Sequence, residues 1–202
     1  MHDVTAYPRL TRPIVLASAS PRRHVLLKRL VQDFEIRPSD AEEMVDDTRP
    51  PEEVARANAQ AKARDVAAGL EEGTVIGADT VVAAADGGLV GKPVDRKDAV
   101  AILRRLSGSR HRVITGVCVL EVAPGRLDVR AAETWVTMKK MSEQEIADYV
   151  ASGEADGKAG AYAIQETGDR FVTHLEGSMS NVVGLPLELL DEMLSSGTGG
   201  LL

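Results

Sequence analysis

The chain reads as an α/β fold on three observations. Strand-like and helix-like segments alternate along its length, no low-complexity linker or internal repeat interrupts them, and 202 residues with 44% hydrophobic content can bury a substantial core. That length suits one domain, or two lobes sharing a sheet.

The elements follow in order. The apolar run Ile14-Val15-Leu16-Ala17 opens the alternation as a strand and gives way to Ser18, Ser20 and Pro21. Serine suits an N-cap, where its side-chain oxygen accepts a bond from an unpaired backbone N–H, and proline suits the first helical position, whose N–H needs no partner. Val25, Leu26, Leu27 and Leu30 come at helical spacing, so a helix of roughly three turns is expected from Pro21. Phe34 to Pro38 reads as a short strand before the acidic turn Asp40-Ala41-Glu42-Glu43. Pro50 and Pro51 introduce an alanine-rich helix ending near Gly69, and Thr74 to Ala84 is extended and carries Asp79. Asp86-Gly87-Gly88 marks a turn. Asp95 caps a helix through Leu106 that Ser107-Gly108 stops, and residues 111–122 and 127–140 suit a long hairpin turned at Pro124-Gly125.

Ser142-Glu143-Gln144-Glu145 is a capping box, with Ile146, Tyr149 and Val150 as the buried face of a short helix ending before Gly153. The segment Gly157 to Gln165 has little bulk outside Tyr162, Ile164 and Gln165. Such a glycine-rich stretch lets backbone lie close to a ligand, and a plain connecting loop has the same composition. Gly177 to Pro186 precedes a last helix starting near Pro186, and 195–200 reads as a mobile tail.

Composition narrows the function. A net charge of −7 and a pI near 5.2 argue against broad attraction to nucleic acid or membranes, so a small partner is expected. No run approaches the ~20 apolar residues that span a bilayer, the N-terminus lacks a secretory apolar segment, and cytoplasmic residence is the default expectation. Cys118, the single cysteine, lies in an apolar run and reads as a buried, inert thiol. His2, His24, His111 and His174 show no metal-ligand spacing, which leaves a zinc site unsupported.

The junction after the first strand is the leading anion site. Helix N–H groups, the hydroxyls of Ser18 and Ser20, and the guanidinium groups of Arg22 and Arg23 can converge there on phosphate; a capped surface helix with solvated arginines is the plain alternative. With no histidine base nearby in sequence, the serines suit phosphate binding better than acylation. Asp79 stands out for a different reason: a carboxylate amid strand-forming apolar residues is costly unless paired, hydrogen-bonded or metal-bound.

Five motifs in order carry a resemblance. Ser18-Ala-Ser-Pro-Arg-Arg23, Gly77-Ala-Asp-Thr80, Gly91-Lys92-Pro93, Gly157-Lys-Ala-Gly-Ala-Tyr-Ala-Ile-Gln165 and Asn181-Val-Val-Gly-Leu-Pro186 resemble the Maf family of nucleoside triphosphate pyrophosphatases, also called septum formation inhibitor proteins. The likeness runs from about Ile14 to about Leu190. It implies an elongated, two-lobed, mixed-sheet α/β fold related to the inosine triphosphate pyrophosphatases. The expected organisation is an N-terminal extension over 1–13, one two-lobed catalytic domain over 14–194, and a flexible tail over 195–202.

The activity implied is hydrolysis between the α and β phosphates, giving a nucleoside monophosphate and pyrophosphate by metal-assisted attack of water. Positive groups, a divalent cation and an oriented water are what that chemistry needs. Arg22 and Arg23 can fork onto phosphate oxygens, and Lys62 and Lys92 match family phosphate-contact positions. The resemblance assigns Glu43 and Asp79 to magnesium or manganese, choosing Glu43 over its neighbour Glu42, and makes Asp79 the general base.

Ser18, Lys92 and Gln165 are expected to read the substrate. A glutamine amide offers donor and acceptor to a uracil or thymine edge, and Ala-Tyr-Ala-Ile-Gln resembles the branch acting on dTTP and UTP. Glu166-Thr167, where glycine is usual, and Met179, where an aromatic is common, depart from the pattern. A 7-methylguanosine triphosphate or broad non-standard nucleotide pyrophosphatase is the nearest alternative. A nucleotide-binding regulator of septation, working through a protein partner, is the alternative of another class. Tyr162 can stack on a base or belong to the core. The family is compatible with a homodimer, though no periodic apolar stripe marks an interface.

Overall fold

A computed structural model describes residues 7, 10–123, 125–165, 167–195 and 200–201. Pro124 of the expected hairpin turn, Glu166, and positions 196–199 and 202 of the expected tail lie outside the described residues, as do 1–6, 8 and 9.

In chain order the elements are β1 (Ile14–Leu16), α1 (Pro21–Leu27), β2 (Glu35–Ile36), α2 (Pro51–Ala67), β3 (Thr74–Ala83), β4 (Leu89–Val90) and α3 (Arg96–Leu106). There follow β5 (Arg110–Glu121), β6 (Arg126–Met138), α4 (Glu143–Ala151), β7 (Val172–Glu176), α5 (Met179–Val183), α6 (Leu187–Ser195) and β8 (Gly200–Leu201). Together they make a mixed α/β fold on one eight-stranded sheet, ordered β2-β1-β3-β5-β6-β7, with β4 on β3 and β8 on β6. Strand β1 runs parallel to β2 and β3, whereas β3, β5, β6 and β7 pair antiparallel. No helix among the described residues is long and apolar enough to cross a membrane.

Local signals explain most boundaries. The Asp95 carboxylate accepts from Asp98 N–H at the start of α3, and both halves of the Ser142–Glu145 capping box close at α4. Helix α1 corrects the expectation twice. It has seven residues rather than roughly three turns, because Arg29 and Leu30 fold back in short i→i+3 bonds that carry Val31 into the core. Its N-cap Ser20 makes no side-chain capping bond; instead Ser20 N–H donates to the Ser18 hydroxyl at 3.2 Å. The stretch before Pro186, expected only to lead into a helix, itself forms α5, capped by the Ser178 hydroxyl accepting from Asn181 N–H.

Strand alternation sorts side chains onto two faces. Ile76, Ala78 and Val82 of β3 join Val113 and Val117 of β5 in the large core beneath α1, α3, α4, α5 and α6. Val75 and Cys118 face α2, where they pack with Ala59 and Ala63. Cys118 is buried and burial pushes its thiol up to about 12, as an inert core residue requires.

Two glycines let α2 lie directly on the sheet. A Cβ at Gly77 would sit 2.3 Å from the Ala59 carbonyl, and one at Gly116 would sit 2.2 Å from the Ala55 carbonyl. This close approach brings the neighbouring α2 side chains, Asn58 and Lys62, onto the α2-facing carboxylate of β3, Asp79.

Candidate active site

A cleft of about 460 Å³ opens where β1 ends, α1 begins and β3 passes beneath α2. Ser18, Arg22, Arg23 and Glu43 line it, and so do Lys62, Asp79, Lys92 and Gln165, so all eight residues singled out in the sequence meet in one space.

On one side, Arg23 binds three parts of the chain at once. Its Nε donates to the Gly184 carbonyl at 2.8 Å, Nη1 to Ser18 Oγ at 3.3 Å, and Nη2 to Thr80 Oγ1 at 3.0 Å. Burial pulls the Arg23 pKa down while the Asp79 charge holds it up, and the guanidinium remains protonated. Thr80 shares its hydroxyl with Thr115 at 2.9 Å, and Thr115 donates to the Asn181 carbonyl at 3.1 Å. His24 Nε2 meets the Ser18 backbone oxygen at 2.9 Å, not the hydroxyl, so no Ser–His pair forms there.

Across the cleft, ammonium groups bridge carboxylates. Lys62 Nζ donates to Glu43 Oε1 and Asp79 Oδ1, each at 2.7 Å, and Lys92 Nζ donates to Glu43 Oε2 at 2.8 Å. Asp79 is 5% exposed and its second oxygen accepts from Asn58 Nδ2 at 3.0 Å, so the cost of burying its charge is met by two donors. Partial burial pushes the Glu43 pKa up, but donation from Lys62 and Lys92 outweighs it and holds the carboxyl at about 2.

Sequence reasoning missed Asn58 and Thr80. Asn58 lies one helical turn before Lys62, the i,i+4 spacing that puts both on one face, and Thr80 follows Asp79 on a strand and so faces the opposite side. Among the described residues no group of three or more His, Cys, Asp or Glu side chains could hold a metal; the cleft offers two carboxylates.

The Gly157–Gln165 segment closes the cleft. It contains a short 3-10 turn, Ala159–Ala161, in which Gly160 has φ 76° and a Cβ there would press on the Tyr162 ring and Val82 at 3.2 Å. Ala163 N–H donates to the Tyr149 hydroxyl at 3.0 Å, and the Tyr162 hydroxyl bonds His111 Nε2 at 2.9 Å. Tyr162 is thus a buried tether with its polar end engaged, and Gln165 is the exposed end of the segment in the cleft. Met179 lies half exposed on α5.

His111 makes stability depend on pH. Burial lowers its pKa from 6.5 to about 4, so the unfolded chain takes up a proton at a higher pH than the folded one. The contribution of His111 to stability is therefore expected to be level above pH 6.5 and to fall as pH drops toward 4, by about 3 kcal/mol over that window. Urea unfolding at stepped pH measures the slope. His111→Gln, which keeps an amide for the Tyr162 hydroxyl, is expected to flatten it; an unchanged slope would assign the loss to another group.

A model of the family described as Maf-like protein matches residues 13–197. A protein of Pelotomaculum thermopropionicum named dTTP/UTP pyrophosphatase is 46% identical over 183 residues, covering 91% of this chain and 95% of that one. Proteins of the same name from Moorella thermoacetica and Thermococcus gammatolerans are 47% and 45% identical, over 90% and 88% of this chain and 93% and 92% of their own. A solved structure described as a nucleoside-triphosphatase / dITP/XTP pyrophosphatase from Mycobacterium abscessus aligns with TM-score 0.42 and 17% identity, covering 63% of this chain and 74% of that one. With a family model spanning most of its length and relatives above 40% identity across about nine-tenths of it, this chain belongs to the Maf-like protein family.

Proposed function

We propose that the cleft hydrolyses dTTP and UTP to the nucleoside monophosphate and pyrophosphate, the activity for which the relatives are named. Charge is the observation that carries this reading. Five cations, Arg22, Arg23, Lys62, Lys92 and Lys158, line the cleft with two carboxylates, Glu43 and Asp79, in a chain whose net charge is −7. An acidic protein that gathers surplus positive charge in one concavity draws a polyanion there and repels it elsewhere.

Each residue then has a task. Arg22 and Arg23 hold phosphate oxygens through paired N–H groups, and Lys62 and Lys92 supply point charges from the facing wall. Asp79 orients a water and takes its proton as the water oxygen bonds to the α-phosphorus. The bond from that phosphorus to the bridging oxygen breaks, and pyrophosphate leaves with the electron pair. Glu43 and Asp79 would hold a divalent cation such as magnesium or manganese, since one ammonium reaches both at 2.7 Å and hard cations take carboxylate oxygens. Such a cation, when bound, supplies charge neutralisation on the phosphates.

Gln165 presents an amide donor and acceptor to the pyrimidine edge, with Ser18 and Lys92 on the same cleft. A nucleoside triphosphate is an intracellular metabolite, which supports the cytoplasmic setting expected from the sequence.

The test is release of pyrophosphate and monophosphate from dTTP, UTP, CTP, ITP and 7-methylguanosine triphosphate, with magnesium or manganese and a chelator control. Metal-dependent cleavage of dTTP and UTP above the others is expected. Preference for 7-methylguanosine triphosphate would overturn the pyrimidine assignment, and no cleavage by folded protein would favour a nucleotide-binding regulator.

A further inference from the structure

We infer that Asn58 is a positioning residue that fixes the Glu43 loop and the Asp79 carboxylate relative to each other. The inference rests on the reading of Asp79 as the group that takes the water's proton.

Asn58 is 4% exposed, on the face of α2 that lies against β3. Its Oδ1 accepts from Met44 N–H at 2.7 Å, and its Nδ2 donates to the Met44 carbonyl at 3.1 Å. One side-chain amide therefore closes on both backbone groups of a single residue, as a neighbouring strand would. Met44 is bonded to Glu43, so this grip sets where the Glu43 carboxylate starts from. The same Nδ2 donates to Asp79 Oδ2 at 3.0 Å, while Lys62, four residues on, takes Asp79 Oδ1 at 2.7 Å.

Two donors on one helical face thus fix the plane of the Asp79 carboxylate, one oxygen each. The loop between β2 and α2 has no regular structure from Pro38 to Asp46, and the side-chain amide supplies what secondary structure does not. Residues that hold reacting groups to within a fraction of an ångström act on turnover, because a small misplacement of a base costs proton transfer without loosening the phosphates.

Two variants separate the arms. Asn58→Leu fills the same space and removes every bond. Asn58→Asp keeps an acceptor for Met44 N–H and sets a negative charge against Asp79. With dTTP as substrate, kcat is expected to fall at least tenfold in both, with the Kd for α,β-methylene dTTP within threefold of the parent. Amide hydrogen exchange at Met44 is the second readout and needs no turnover: at least tenfold faster in Asn58→Leu, and less accelerated in Asn58→Asp, whose carboxylate still accepts from Met44 N–H but no longer donates to the Met44 carbonyl.

Parental kcat in either folded variant overturns the inference, and so does a parallel loss of analogue affinity and turnover. Unchanged Met44 exchange in Asn58→Leu overturns the loop arm. If the parent protein cleaves no triphosphate, the function fails, while the exchange experiment still decides whether Asn58 holds the loop.

Discussion

Asp79→Asn is expected to lower dTTP turnover by about 10²–10⁴-fold while leaving the fold and nucleotide affinity intact. The asparagine keeps the shape of a side chain that is 5% exposed and keeps an oxygen for the donor on Asn58 or Lys62. What it cannot do is accept a proton. Removing a negative charge from a cleft lined by five cations and two carboxylates also strengthens its pull on a triphosphate, so KM is expected to hold or fall. Steady-state pyrophosphate release, with binding of α,β-methylene dTTP and a thermal melt, separates these effects. Turnover near that of the parent would remove Asp79 from the reaction. A loss confined to KM would make it a binding group only.

How much of this was legible in the sequence follows from the range of each interaction. Signals read within one turn of chain hold: the prolines that open α1 and α2, the Asp95 cap, and the Ser142 capping box each act on neighbours. The length of α1 is not legible locally: Leu30 is in helical register, but Val31 after it is buried, and burial is a tertiary fact. Ser20 was expected to cap α1, but the Ser18 hydroxyl turns back to Ser20 N–H and takes a guanidinium from Arg23 as well.

The site shows the same division. Asp79 was visible as a charge in an apolar strand, and the arginines as charges after a serine–proline step. Glu43 stands among other acids on an exposed turn, and only the ordered motifs distinguished it. Lys62 on an alanine-rich helix carried no local sign of its partners, which lie 19 residues before and 17 after it. Asn58 was invisible because its partners are set by how closely α2 approaches β3 and β5. Gly77 and Gly116 set that distance, and their role emerges only once strand and helix are paired.

Arg23→Lys is expected to cost about 10²–10³-fold in kcat/KM and about 1–3 kcal/mol of stability, although it keeps the charge. Arg23 spends one N–H on each of three acceptors: the Gly184 carbonyl, Ser18 Oγ and Thr80 Oγ1. The guanidinium has five N–H groups, so two remain for phosphate, aimed by the three that are tied. An ammonium gathers its donors at one point and cannot span the same acceptors. The buried Gly184 carbonyl loses its guanidinium partner, and the link from α1 through β3 to the turn after α5 is cut.

Arg22 supplies the control. It lines the same cleft, but its side chain makes no hydrogen bond or ion pair among the described residues, so Arg22→Lys is expected to leave stability unchanged and to reduce kcat/KM less. Chemical denaturation and steady-state kinetics on the two variants measure the contrast. If both variants lose activity equally and neither loses stability, the three tied bonds of Arg23 do not aim its remaining donors, and positive charge alone serves the phosphates. If Arg23→Lys is destabilised yet fully active, Arg23 is a structural staple and Arg22 carries the contact.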